Sequence, residues 1–393
     1  MPRFGHAMLE HWALDPAIVY LNHGTVGAPP RRVLAAQQAI RDEIERQPSR
    51  FMLRELTEIG AGAPGRTRPR LREAADAVAA FVGARGDDLV FVDNITAGAN
   101  AVLRSFDFRA GDEILLTDLT YGAVANTATF VARGCGATVR AVELPFPPRT
   151  QDELADAIVA AAGARTRLAV VDHITAETAL LLPVARIVER LHAKGVAVLV
   201  DGAHAPGAIA LDLPALGADW YTGNLHKWAW APRSCGILWA PPERQAGLHP
   251  PVISWGLDRG FTAEFDLPGT RDPSACLAAP AALAFMHELG AEAIRAYDHQ
   301  LAWEGAHELA RRWGTEFPQE ERLIGVMATV PLPERFGSTR EQAQALRDAL
   351  LYEDRIEVQL HAHRGRLWVR ISAQIYNEPA DVARLAEAVL ARG

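Results

Sequence analysis

Between residues 88 and 239 short apolar runs alternate with helix-length stretches, and this alternation narrows the folds open to the chain. The strand candidates are residues 89–92, 113–117, 138–142, 168–172, 197–200, 220–222 and 236–239. Several are continuous apolar runs, as strands covered on both faces require. Helical stretches such as 152–162 and 184–193 separate most of them. The pattern predicts an α/β layer with a mostly parallel sheet. Ligands of such sheets bind beyond the carboxyl ends of the strands. Asp93, Asp118, His173, Asp201 and Asn224 fall at those ends.

After about Pro273 strict alternation stops. A long helical stretch, residues 274–312, breaks near Leu289-Gly290. Strand candidates 324–331, 357–360 and 367–371 and helices 339–352 and 379–391 follow, predicting a separate α+β domain. Three parts are therefore expected. Residues 1–18 form a segment packing with the small domain, 19–272 a large domain and 273–393 the small C-terminal domain. Helical residues 31–82 bridge into the large domain.

Composition excludes several function classes. The chain has 393 residues, 49% hydrophobic and 22% charged, with formal net charge −8. Nothing favours nucleic acid, and no basic run is long enough to bind it. The three cysteines, Cys135, Cys235 and Cys276, are odd in number and scattered, giving neither a disulfide framework nor zinc spacing. No metal is expected. The first residues carry Glu10 and Asp15 and lack a long apolar core, unlike a signal peptide. No stretch has the roughly 18 uninterrupted apolar residues of a membrane span. The expectation is a cytoplasmic enzyme.

Its chemistry is carried by two strand ends. Val198-Leu199-Val200-Asp201 runs into Gly202-Ala203-His204-Ala205-Pro206-Gly207, and a second short strand delivers Asn224-Leu225-His226-Lys227-Trp228. A Lys at a strand end is ordinarily a surface residue. Paired with a buried strand-end Asp, it supplies the two groups that pyridoxal 5'-phosphate (PLP) demands, an amine for a Schiff base and an acid for the ring nitrogen. Lys227 must be neutral to attack the aldehyde and can then move protons at Cα. His204 is placed against the cofactor or Asp201.

Asn94-Ile95-Thr96-Ala97-Gly98 follows a strand and opens a helix. Thr96 is expected to cap it, with the Ala97 and Gly98 amides facing a phosphate. Asn224 and His226 add donors. Tyr121 can stack on the ring, and His173 is placed to reach the ring 3-oxygen. Arg370, in an otherwise apolar strand, would match a substrate carboxylate; a structural ion pair is the alternative.

Together these motifs resemble the class V aminotransferase family of fold-type I PLP enzymes, along nearly the whole chain. Asp201–Gly207 and Asn224–Trp228 look most like the isopenicillin N epimerase-like branch. So do residues 20–27 (YLNHGTVG), 172–175 (DHIT), 269–272 (GTRD) and 370–377 (RISAQIYN). The resemblance implies a seven-stranded PLP-binding domain and a homodimer. Lys227 then carries the Schiff base, Asp201 contacts the ring nitrogen and Tyr121 covers the ring. Thr96, Ala97, Asn224 and His226 bind the cofactor, mostly its phosphate. Arg370 takes the α-carboxylate of an amino-acid substrate, Asn22 and His23 line the entrance, and Thr270 reaches the partner subunit's phosphate. Cysteine desulfurases of this class use a mobile Cys in the C-terminal domain. No Cys follows Cys276, which disfavours that activity.

Two other motifs are set aside. Residues 60–65 match G-x-G-x-x-G but lack a preceding strand, so a connecting loop is expected. His361-Ala362-His363 beside Arg364-Gly365-Arg366 reads as a hairpin turn rather than a metal pair. For the reaction, epimerisation or racemisation at Cα leads, with Tyr121 as second proton donor. β-Elimination by a C–S lyase is the alternative, followed by transamination and by PLP binding without turnover.

Overall fold

In a computed structural model describing residues 4–58 and 65–393, the seven strand candidates form one sheet. Its order is Leu89–Val92, Gly236–Trp239, Trp220–Asn224, Ala197–Gly202, Thr166–Asp172, Glu113–Thr117 and Thr138–Val142. Only Gly236–Trp239 runs antiparallel to its neighbours. The continuous apolar runs are explained by this position, since Leu89–Val92 and Glu113–Thr117 are buried at every residue. Thr138–Val142, at the edge, is half open and alternates with Arg140.

Helices cover the sheet because their sequences place apolar residues on one stripe. Val184, Ile187, Val188 and Leu191 of helix Val184–His192 recur at i, i+3, i+4 and i+7 and are all buried. Helix Gln151–Ala161 starts where Thr150 accepts a hydrogen bond from the Glu153 amide. The structure lengthens two strands past the apolar run, carrying Ala197–Gly202 through Asp201 and Trp220–Asn224 through Asn224. The strand ladder continues through these polar residues because their neighbours pair in register.

A second sheet, Gln359–His363, Arg366–Ser372 and Met327–Pro331, is antiparallel. Helices Ala291–Trp313, Arg340–Tyr352 and Pro379–Leu390 share its core. The two cores hand over inside the long helix: Ile294 packs with the large core and Leu301 with the small one. Helix Ala279–Leu289 thus packs with the large core, although the sequence assigned it to the small domain. The N-terminal segment touches both parts. Gly5 donates to the Ile375 carbonyl, while Met8 and Trp12 lie in the large core, Trp12 against Trp230 and Tyr376.

His361–His363 lies within a strand; the turn itself is Arg364-Gly365, both at positive φ. Residues 60–64 of the glycine motif lie outside the described residues. Among the described residues no single helix is long and apolar enough to cross a membrane, and no His, Cys, Asp or Glu group has metal-holding geometry.

One buried ion pair fastens the bridging helix Arg70–Phe81 to the sheet. Arg72 meets Asp266 at 2.7 Å, both side chains being almost wholly buried, and donates to the Gly86 and Leu89 carbonyls. Asp266→Ala strands the guanidinium without a counter-charge. It is expected to lower the unfolding free energy by about 3–5 kcal/mol, read from urea denaturation at neutral pH.

Candidate active site

The carboxyl ends of the central strands and the small sheet enclose a cavity of about 370 Å³. Lys227, Asp201, His204, Asn224, His226, Thr96, Tyr121 and Arg370 all line it. Residues from across the chain therefore converge on one space.

Lys227 is held from three sides. Burial lowers its pKa to about 7; the Arg370 charge adds to this and Asp201 opposes it. Its Nζ lies 3.0 Å from His204 Nε2. The Trp228 indole N–H points at His204 Nδ1 at 3.3 Å. Burial also holds His204 well below the usual imidazole range, so its ring is neutral. A neutral ring that accepts at Nδ1 carries its proton on Nε2. That N–H can only donate to an unprotonated Lys227. Burial and tautomer thus both select the nucleophilic amine.

The Lys227 backbone is clamped from behind. His23 is wholly buried, with Nε2 donating to the Lys227 carbonyl at 3.0 Å and Nδ1 accepting from Tyr376 at 2.9 Å. Burial keeps His23 neutral, with a pKa of about 4. Gly27, at φ 67°, presses on His226: a Cβ there would stand 1.8 Å from its carbonyl oxygen. His23 is therefore a support for Lys227, in place of the entrance position expected of it. Asn22 is displaced from the entrance too. Its Oδ1 accepts from Thr25 and from Arg370, and its Nδ2 donates to Glu357. Gly24 and Thr25, on the next turn, line the cavity instead.

Helix Ile95–Ser105 points its N-terminus into the cavity. Asn94, in extended backbone ahead of the first helical residue, caps it in place of Thr96 by accepting from the Ala97 amide at 3.1 Å. The Gly98 amide is taken up by the Asn94 carbonyl, so it is no free phosphate donor. Gly98 serves close packing instead, since a Cβ would lie 2.1 Å from Thr222 Oγ1. Asn224 Oδ1 accepts from the Ile95 amide at 2.9 Å. The Thr96 hydroxyl and amide keep no partner among the described residues. His226 Nδ1 donates to the Cys235 carbonyl at 3.0 Å, leaving Nε2 toward the cavity.

His173 does not reach the cavity. Successive strand residues face opposite ways; Asp172 and Ile174 line the cavity, whereas the His173 ring turns to the Tyr221 hydroxyl at 3.1 Å. His204, unlike His173, lines the cavity. Thr270 is exposed and lies outside the cavity, next to Arg271, which pairs with Asp93 at 2.7 Å. Tyr121 ends the turn before helix Gly122–Cys135 and is 46% exposed. All three cysteines lie outside the cavity.

Arg370 is 4% exposed and has no carboxylate in salt-bridge contact among the described residues, Glu177 of the same cavity acting on it only from further away. It donates to Thr25 Oγ1 at 2.8 Å, to Asn22 and to the Ala176 carbonyl, and its Nε has no partner. Burial lowers it to about 10, still charged at neutral pH. The structural ion pair is absent, and a buried cation left without an anion suits a carboxylate ligand.

Sequence reasoning passed over Asp172, Trp228 and Thr25. Asp172 was visible as a second apolar run ending in Asp; Trp228 and Thr25 carried no local signal.

These donors fit PLP. Asp201 Oδ2 is buried without a partner, available to a ring N–H, while Oδ1 accepts from the Ala203 amide at 2.9 Å. A helix N-terminus with unpartnered Thr96 groups suits a phosphate, and a neutral amine faces the space between.

The chain is similar to known proteins. Residues 30–385 match the family "Aminotransferase class-V". The chain is 34% identical to the isopenicillin N epimerase of Streptomyces clavuligerus, covering 96% of this chain and 95% of that one. It is 32% identical to a probable chloroplastic L-cysteine desulfhydrase of Arabidopsis thaliana, covering 95% and 83%. Its fold matches a cysteine desulfurase of Thermococcus onnurineus with TM-score 0.79 at 18% identity, over 98% and 97% of the two chains. The chain belongs to the aminotransferase class-V family, in its isopenicillin N epimerase-like branch, and is a PLP-dependent enzyme of the isomerase or lyase kind.

Proposed function

We propose that this enzyme removes the α-proton of an amino acid and expels a sulfur group from Cβ, as a C–S lyase. The observation that carries this reading is one buried amine in the cavity, Lys227, 3.0 Å from His204 Nε2 and with its pKa lowered by burial to about 7. Elimination needs one base, whereas epimerisation needs a proton donor on each face. Tyr121, which also lines the cavity, is half exposed and has no side-chain hydrogen bond to activate it among the described residues. This reverses the order expected from the sequence, where epimerisation led. The desulfhydrase named among the relatives supports it.

In this reading Lys227 would hold the cofactor through its amine and, once that amine is free again, take the α-proton of the substrate. The bound cofactor supplies an electron sink for the pair left at Cα. Asp201 faces the ring nitrogen, Tyr121 covers the ring and His204 orients Lys227. Thr96, Asn224 and His226 hold the phosphate, while the Ala97 amide, expected there too, is taken by Asn94 Oδ1 and Ala97 stays outside the cavity lining. Arg370 fixes the α-carboxylate, with Asn22 and Thr25 holding its guanidinium in place. Val252, Ile253, Trp255 and Leu257 form an exposed apolar run, Trp255 at 80%, a short way before Thr270. That run suits a homodimer in which Thr270 meets the partner's phosphate. Unpaired cysteines fit a cytoplasmic setting.

A second reading, epimerisation, rests on Tyr121 lining the same cavity as Lys227. Turnover of an amino-acid panel in deuterated water separates the two. Elimination yields a 2-oxo acid and a released sulfur fragment. Recovery of inverted, Cα-deuterated amino acid, abolished by Tyr121→Phe, would establish epimerisation instead.

The rate at which apoprotein takes up PLP should follow the neutral fraction of Lys227. It is expected to fall about tenfold per pH unit below about 7 and to level off above. Trp228→Phe frees His204 to move its proton to Nδ1 and accept from a charged Lys227. The midpoint of that profile should move up by on the order of one pH unit.

A further inference from the structure

Two carboxyl groups, where a pyridine nitrogen can use only one, stand at the end of the cavity. Asp172 and Asp201 end neighbouring parallel strands and pair in register. Their Cα atoms are therefore roughly 4.8 Å apart and their side chains leave the same face of the sheet. Both line the cavity and both are 2% exposed. Each keeps an Oδ2 atom buried without a hydrogen-bond partner. The ring nitrogen explains the unpartnered oxygen of Asp201 and leaves that of Asp172 unexplained.

Two buried carboxylates at this spacing cannot both ionise cheaply. The surroundings offer little relief. Thr120 contributes a hydroxyl to Asp172, and Lys227, in its protonated fraction, lowers Asp201. His204 and His173 are held neutral by burial, and Tyr221 is held protonated. Arg370 is committed to Thr25, Asn22 and Ala176.

We propose that Asp172 is a positioning residue that shares one proton with Asp201, so that the pair presents a single negative charge to the cofactor's ring nitrogen. The protonated member supplies the hydrogen-bond donor that the unpartnered oxygens lack, and it fixes which oxygen of Asp201 is turned to the ring. The inference rests on Asp201 facing that nitrogen. Burial, and then the Asp201 charge, raise Asp172 well above the usual carboxylate range, and burial raises Asp201 to about 6. The two titrate as one unit.

The sign of the pH effect follows. A carboxyl whose pKa is raised on folding binds its proton more tightly in the folded chain. Its contribution to stability is complete below the unfolded value of roughly 4 and is lost as pH rises through the folded values. Asp172→Asn keeps a donor and removes the titration. The melting temperature of the apoprotein, wild type minus Asp172→Asn, should therefore fall steadily between about pH 4.5 and pH 8. Lys227 titrates within this window in both proteins, so its effect largely cancels in the difference. A difference that stays flat with pH would overturn the shared proton.

The holoenzyme tests the positioning. Visible circular dichroism of bound PLP should be close to wild type in Asp172→Asn and weakened in Asp172→Leu, which has no donor. An Asn variant that matches Leu would mean that position 172 needs a charge, which contradicts the proposal. Wild-type apoprotein gives a reading that no misfolded variant can spoil. Its infrared spectrum near pH 7.5 should show the carbonyl stretch of a protonated carboxylic acid, shifted by 13C-aspartate labelling and persisting when Asp298, a second carboxyl raised by burial, is replaced by Asn, and its absence would overturn the proposal. Asp201→Ala separates the underlying assumption. If it binds PLP as tightly as wild type, the Asp201 reading fails whatever the apoprotein melting shows.

Discussion

A lysine removed from water must lose its proton or find a counter-charge, and the architecture around Lys227 arranges the first. The Trp228 indole settles the tautomer of His204, His204 presents an N–H, and only a neutral amine can receive it. His23 and Gly27 brace the backbone on the other side. The catalytic amine thus depends on contacts from the N-terminal turn, the Asp201 turn and its own neighbour in the chain. An exposed lysine on the same strand end would be charged and inert as a nucleophile at neutral pH.

The second constraint is closure between the two sheets. Arg370 belongs to the small sheet yet points at residues of the N-terminal turn and at the 174–178 segment of the large domain. Val19–Tyr20 pairs in parallel with Ile356–Glu357, and Asn22 bridges to Ser372. Thr329 Oγ1 also donates to the Glu177 carbonyl. The carboxylate end of the cavity is thereby built from both domains. Its cation is left without an acid partner because every neighbour it meets is a hydroxyl, an amide or a carbonyl.

Much of this was legible in the order of residues. Apolar runs of strand length, each closing on a polar residue, placed the sheet and the end of it that binds. Lys227, Asp201, Thr96, Asn224, His226, Tyr121, His204 and Arg370 were all picked from motifs and all meet at one cavity. The sequence misplaced residues whose direction depends on one step of a strand or on a turn. His173 and Asp172 are adjacent, and alternation alone decides which one faces the cofactor side. Asn94 and Thr96 are two residues apart, and the onset of helical backbone decides which one caps. His23 carries no local sign that it will be buried behind Lys227.

What the sequence alone determined is the periodic pattern of burial and the chemical inventory at the strand ends, because both are local. A run of Val and Leu ending in Asp declares a buried strand with a carboxyl at its tip in any surroundings. Only the tertiary structure decided protonation and partnership. Lys227 has its pKa lowered to about 7 because distant residues exclude water from it. Asp172 and Asp201 share a site because two strands align in register. Arg370 waits for an anion because the groups brought to it, on Thr25, Asn22 and Ala176, are a hydroxyl, an amide and a carbonyl. Each of these depends on desolvation and on distances between side chains far apart in the chain, which no local stretch of sequence encodes.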